Sequence, residues 1–156
     1  MGTITPFLWY DTEAEEAATL YTSLFPNSTI LAVNHYAAAG PGPEGSVMTI
    51  SFELDGQRFV ALNGGPAHPF TEAVSFVVDC SSQEEVDRYW DALTDGGEES
   101  VCGWLRDRFG LSWQIVPSRL PELLSDPDRE KAQRVMQAML QMRKIDIAGL
   151  EAAAQG

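Results

Sequence analysis

Cysteine is scarce in this chain: Cys80 and Cys102 are the only two among 156 residues, too few for a disulfide framework. Basic residues are scarce too, ten against twenty-three acids, giving a formal net charge of −13. A surface of that sign repels phosphate backbones, so nucleic acid is not expected as a partner. No window approaches the roughly 18 apolar residues of a membrane span, so no membrane partner is expected. The start, Met1–Pro6, lacks the basic region and apolar run of a secretory signal, and Pro6 stands where a myristoylation signal has Ser or Thr. The expected setting is cytoplasmic, with reduced thiols. Histidine is nearly absent: His35 and His68 lie 33 residues apart and share no short-range chelating motif.

What is present fits one globular domain over 1–156. The chain is 44 % hydrophobic and 21 % charged, a composition that supports a buried core without staples. Charge is uneven along it. Residues 1–100 hold sixteen acids and two bases, Arg58 and Arg88, whereas 101–156 hold seven acids and eight bases. The second stretch can attract the first, within a chain or between copies.

Residues 1–65 read as strand, helix and three strands. Ile4–Tyr10 is an apolar and aromatic strand run. Thr12 and Glu15 form a capping box, followed by Ala14, Ala17, Ala18, Tyr21 and Leu24 at helical spacing. Ser28–Tyr36 is rich in β-formers, and 37–45 is a turn-forming loop containing Gly-Pro-Gly-Pro. Val47–Leu54 and Gln57–Asn63 flank Asp55-Gly56, a hairpin signal. After Gly64-Gly65-Pro66, a tight linker, the order recurs over 71–117. Ala73–Val78 is a strand, Ser81 and Glu84 a second capping box, and Val86, Tyr89, Trp90 and Leu93 a helical stripe. Glu99–Leu105 and Ser112–Val116 then read as strands. A shift of 68 residues lays Asp11 on Asp79, Glu16 on Glu84 and Tyr21 on Tyr89. The shared order, more than these identities, favours a tandem βαβββ repeat over a single α+β sheet with two helices.

Residues 118–156 form a helical tail. Ser125-Asp126-Pro127 starts a helix with Pro in its first turn. Its apolar face runs from Ala132 and Val135 through Met136, Met139, Leu140 and Met142 to Ile145, Ile147 and Leu150. Such a face packs on its own domain or serves as a partner groove or lid.

Together, the βαβββ order opening with Pro6-Phe7-Leu8-Trp9-Tyr10-Asp11 resembles the vicinal-oxygen-chelate superfamily of glyoxalases, bleomycin-resistance proteins and extradiol dioxygenases. Leu62-Asn63-Gly64-Gly65-Pro66, Cys102-Gly103-Trp104-Leu105, Phe109–Gln114 and the tail resemble its PhnB-like branch, whose members are often labelled 3-demethylubiquinone-9 3-methyltransferase. The resemblance implies an α+β fold of tandem βαβββ modules forming an open concave sheet, with a C-terminal helical extension, and a homodimer. The methyltransferase label finds no support in the residues. A methyl-donor site of the usual kind needs a glycine-rich turn after the first strand, and here that strand ends in Asp11-Thr12-Glu13.

Superfamily enzymes hold a divalent ion with His, Glu or Gln at the module starts and on the final strands. The matching positions here are Ile4 or Thr5, Val60 or Ala61, Glu72 or Ala73, and Gln114. Gln114, with at most one carboxylate, does not make a ligand set. Neither a metal nor another cofactor is therefore expected.

Alternation places Ser112, Gln114 and Val116 on one face and Trp113 and Ile115 on the other. By corresponding placement, Phe59, Ala61 and Asn63 line the wall of the first module. Trp104 adds an aromatic face unless it packs in the core, His68 sits in the loop leading to the second module, and Cys102 has Arg106 and Arg108 near it in sequence. A thiolate needs such a positive field, but no His adjoins Cys102 in sequence, and an inert thiol is the plainer reading. These residues, Asn63, His68, Cys102, Trp104, Ser112 and Gln114, are the candidate contacts to a small apolar or planar ligand. Two classes stay open: a binding protein, and an enzyme working by metal-assisted or acid–base chemistry.

Overall fold

The computed structural model describes residues 4–156; the reading of Met1–Thr3 lies outside the described residues. The chain forms two compact units, Met1–Phe70 and Thr71–Gly156.

In the first, β1 (Phe7–Tyr10) leads to α1 (Ala14–Leu24), then β2 (Thr29–His35), β3 (Val47–Leu54) and β4 (Gln57–Asn63). The sheet order is β1-β4-β3-β2, with β1 parallel to β4 and the remaining pairs antiparallel. Asp55 and Gly56 both take positive φ, 48° and 84°, the turn that the β3–β4 hairpin requires. Ala14, Ala17, Ala18 and Tyr21 are the buried face of α1. Three small residues let the helix approach Ile50, Phe52, Phe59 and Ala61, all buried. Phe52 stacks on Phe59 at 5.5 Å, and the Tyr10 and Tyr21 hydroxyls meet at 3.1 Å.

That register corrects one expectation. Phe59 and Ala61 pair with Phe52 and Ile50 and belong to the core under α1 instead of lining a cavity wall. Period-2 alternation was right, but its phase is set by which strand neighbours are apolar, and that needs the pairing. The first capping box also does not form. The N-cap of α1 is Glu13, without a side-chain cap bond of its own. The N–H of Ala14 instead donates to Asn63 Oδ1 at 2.8 Å, so the cap is supplied by β4.

The second unit repeats the plan: β5 (Ser75–Cys80), α2 (Gln83–Thr94), β6 (Glu98–Glu99), β7 (Trp104–Arg106) and β8 (Ser112–Pro117), ordered β5-β8-β7-β6. The strand expected over Glu99–Leu105 is in fact a hairpin. Cys102 and Gly103 at φ 58° and 85° turn the chain there, and their N–H groups donate to Met142 and Arg143 carbonyls at 2.8 Å each. The second cap is displaced by one residue: Ser82 Oγ accepts from the Glu85 N–H at 3.2 Å, and Glu85 reaches back to Ser81. Leu105, Trp113 and Ile115 are buried, as are Val86, Tyr89, Trp90 and Leu93 of α2. Asp107 is buried and accepts from the Phe109 and Leu111 N–H groups and from Trp113 Nε1, at 2.9–3.0 Å.

The tail adds α3 (Arg119–Leu124), α4 (Arg129–Met139) and α5 (Ile147–Gln155). Helix α4 begins after Asp128, whose carboxylate accepts from the Glu130 and Lys131 N–H groups; Pro127 lies before the cap rather than in the first turn. Leu120, Leu123, Val135, Ile145, Leu150 and Ala154 form its core, with Met139 and Met142 packed against it. Gln83 of α2 ties it down, donating to the Ile145 carbonyl and accepting from the Ile147 N–H. The apolar face therefore packs on its own unit, leaving Met136 and Leu140 exposed. The architecture is α+β, two open four-stranded βαβββ sheets with a helical extension.

Candidate functional site

A hollow of about 730 Å³ lies in the first unit, at the β1 and β4 carboxyl ends beside the start of α1. Its apolar and aromatic lining includes Trp9, Tyr36, Val47, Met48 and Leu62. Residues Pro41–Pro43 form one side, and Asp11 and Glu15 stand on another.

The chain builds this hollow by fixing its aromatic rings. Trp9 Nε1 donates to the Gly65 carbonyl at 2.8 Å. Gly64 lies against the same indole, where a Cβ would come within 2.4 Å of a ring carbon, so only glycine fits. His68 contacts Trp9 edge-on, with ring centroids 4.8 Å apart. The Tyr36 hydroxyl donates to the Asn63 carbonyl at 2.6 Å, and the loop folds over its ring so closely that a Cβ on Gly42 would lie 2.3 Å away. Ser46 Oγ donates to the Pro43 carbonyl at 2.6 Å and holds the loop's return. Asn63 lines the hollow, and its amide is used on both sides, accepting from Ala14 and donating to the Val47 carbonyl at 3.1 Å.

The remaining candidates are in the second unit. Gln114 pairs with Trp104 across β7–β8 and with Val77 across β5–β8, and its Nε2 donates to Ser75 Oγ at 2.9 Å. Ser112 and Trp104 line a smaller recess of about 70 Å³ with Glu72, Glu98 and Arg106. Arg106 is paired there with Glu98 at 3.2 Å and Glu72 at 3.7 Å. Ser112 Oγ is buried and, among the described residues, has no hydrogen-bond partner, which leaves a polar group to be satisfied. Cys102 is part-exposed at the β6–β7 turn, its backbone bound to the tail. Asn63 thus lines the hollow while His68 backs Trp9 without lining it, and Trp104, Ser112 and Gln114 share one sheet. Reading from sequence missed Trp9, Tyr36, Asp11 and Glu15. For Tyr36 the available signal is the Gly-Pro-Gly-Pro loop, which marks a turn but not the ring beneath it.

The residue types do not suit a divalent ion. Among the described residues no group of three or more His, Cys, Asp or Glu converges. Gln114 is engaged with Ser75, Glu72 pairs with Arg106, and Val60 and Ala61 carry no donor side chain. Burial, aided by the negative Glu85 and Asp79, pushes the Cys80 thiol up to about 12, which makes it a poor nucleophile.

Comparison with known proteins gives consistent results. A family model described as 3-demethylubiquinone-9 3-methyltransferase matches residues 2–116, so α3–α5 lie beyond it. A solved structure, a putative 3-demethylubiquinone-9 3-methyltransferase, PhnB protein, from Bacillus cereus, is 36% identical with a TM-score of 0.69, covering 75% of this chain and 100% of that one. Protein PA1353 from Pseudomonas aeruginosa is 22% identical with TM-score 0.62, over 75% of this chain and 98% of that one. The fosfomycin resistance protein FosX from Listeria monocytogenes is 17% identical with TM-score 0.58, over 80% and 98%. The last two share the fold. No curated protein matches the chain.

Proposed function

The chain belongs to the PhnB-like family described as 3-demethylubiquinone-9 3-methyltransferase, and from that premise we propose that it binds a small flat or apolar molecule in the hollow of its first unit, without a metal. The observation that carries this reading is the hollow itself, about 730 Å³, with Trp9 and Tyr36 held by hydrogen bonds and glycine contacts before any ligand arrives. A volume of that size suits a drug-sized body, and rings already fixed lose little entropy on binding. Methyl transfer is disfavoured on the same grounds as in the sequence. Among the described residues the first sheet has a single parallel pair, β1 with β4, and β1 runs into Asp11-Thr12-Glu13 rather than a glycine-rich turn.

Asn63 and His68 act here as positioning residues, Asn63 by joining α1 to β3 and His68 by backing Trp9. In the second unit Ser112, Gln114 and Trp104 offer a polar-aromatic face, and Ser112 Oγ gains a partner from a ligand or solvent. Cys102 is assigned to the turn.

The test is a titration with 1-naphthalenemethanol, a flat neutral probe, followed by the tryptophan indole resonances. Saturable binding that shifts the Trp9 signal and is abolished by Val47→Trp, which fills the hollow, is expected. No saturation at millimolar probe, or binding unaffected by Val47→Trp, overturns the proposal.

We also propose a homodimer. Strand β2 is an edge strand with Ile30, Leu31 and Val33 exposed along it, an edge that soluble proteins usually cover. Light scattering at micromolar concentration should return twice the 17.1 kDa chain; the single-chain mass contradicts it.

A further inference from the structure

We infer that the ligand of the first-unit hollow is a cation, an amine or quaternary ammonium group carried on the flat apolar body; this rests on the proposed binding at that hollow. Asp11 and Glu15 are exposed carboxylates that line the hollow, and among the described residues no Lys, Arg or His lines it. The unit around it is equally one-sided: residues 1–70 contain seven carboxylates and a single guanidinium, Arg58. Arg58 stands on β4 opposite Glu53, outside the hollow.

One feature of the fold favours an anion, the start of α1, because helix N-termini carry partial positive charge. Here that charge is offset: the Ala14 N–H donates to Asn63, and the carboxylates of Glu15 and Glu16 occupy the first turn. The field a ligand meets is therefore negative. Trp9, part-exposed at the hollow, adds a ring that attracts an ammonium group through its quadrupole and takes up its methyl groups by contact. A ligand bearing phosphate, phosphonate or carboxylate meets repulsion and no donor side chain that is charged.

The test uses three probes with one ring system: 1-naphthylmethyl-trimethylammonium, 1-naphthalenemethanol and 1-naphthoate. Affinities in the order cation, neutral, anion are expected, the cation about tenfold tighter than the neutral probe. The preference should shrink when ionic strength rises from about 0.01 M to about 1 M, as the screening length falls from about 30 Å to about 3 Å. The double variant Asp11→Asn, Glu15→Gln should remove most of the cation's preference over 1-naphthalenemethanol, read as the ratio of the two affinities in the same variant. Equal binding of all three probes, or tightest binding of 1-naphthoate, overturns the inference while the hollow remains a binding site. A cation preference that survives the double variant overturns the assignment to these carboxylates. Failure of every probe to bind rejects the proposed site together with the inference.

Discussion

Asn63 shows how much one side chain can decide. Its oxygen caps α1 and its nitrogen holds β3, so the end of β4, the helix start and the rim of the hollow share one amide. Asn63→Leu removes both bonds and leaves the Ala14 N–H and Val47 carbonyl without that partner. The expected loss is about 1–3 kcal/mol, read as a lowered midpoint in urea with an unchanged slope; an unchanged midpoint contradicts the assignment. The two thiols should separate chemically. Cys80 is buried and its pKa raised to about 12, whereas Cys102 is part-exposed. A thiol reagent at mild alkaline pH should label Cys102 in the folded protein and Cys80 only after denaturation. Rapid labelling of Cys80 in the native state would show that the core there opens.

At the scale of elements, much of the fold was legible. The Asp55-Gly56 hairpin, the α1 stripe of alanines and Tyr21, the α2 stripe and the repeated strand order depend on local pattern, and all are present. What escaped depends on contacts distant in sequence. The cap of α1 comes from 49 residues away, and the turn at Cys102–Gly103 is held by the tail. Trp9 and Tyr36 read as strand residues because nothing local shows that a loop will close over them. The tail, one continuous apolar face in sequence, breaks between α4 and α5 where 140–146 crosses to meet α2 and the β6–β7 turn.

That docking is partly ionic. The Gln83 amide and the Lys144 ammonium at 2.9 Å hold the Asp87 carboxyl below its usual range, and Arg119 does the same for Glu151. Carboxyls lowered on folding stabilise the fold above their unfolded pKa, about 4, and that contribution is lost as pH falls through the lower folded values. Both pairs are solvent-exposed, so the effect is small and salt-sensitive. The stability difference between the wild type and Asp87→Asn, Glu151→Gln should therefore be present at neutral pH and vanish under strong acid. A difference that grows on acidification contradicts the assignment.

For the whole molecule, the acidic balance and the thin ligand set lead the same way. A net charge of −13 disfavours anionic partners, and Gln114 with its Ser75 bond leaves little for an ion to hold. Elemental analysis of protein purified without chelator should find divalent metal well below one per chain; one tightly held Zn, Ni, Mn or Fe per chain would overturn the metal-free reading. No helix among the described residues is long and apolar enough to cross a membrane. The central claim concerns where a ligand sits, and a crystal structure of the protein with bound 1-naphthalenemethanol tests it most directly. The expected result is the naphthalene ring packed against Trp9, with the Pro41–Pro43 loop alongside. A ring lodged instead against Trp104 and Gln114, with the first-unit hollow closed by its own loop, would contradict it.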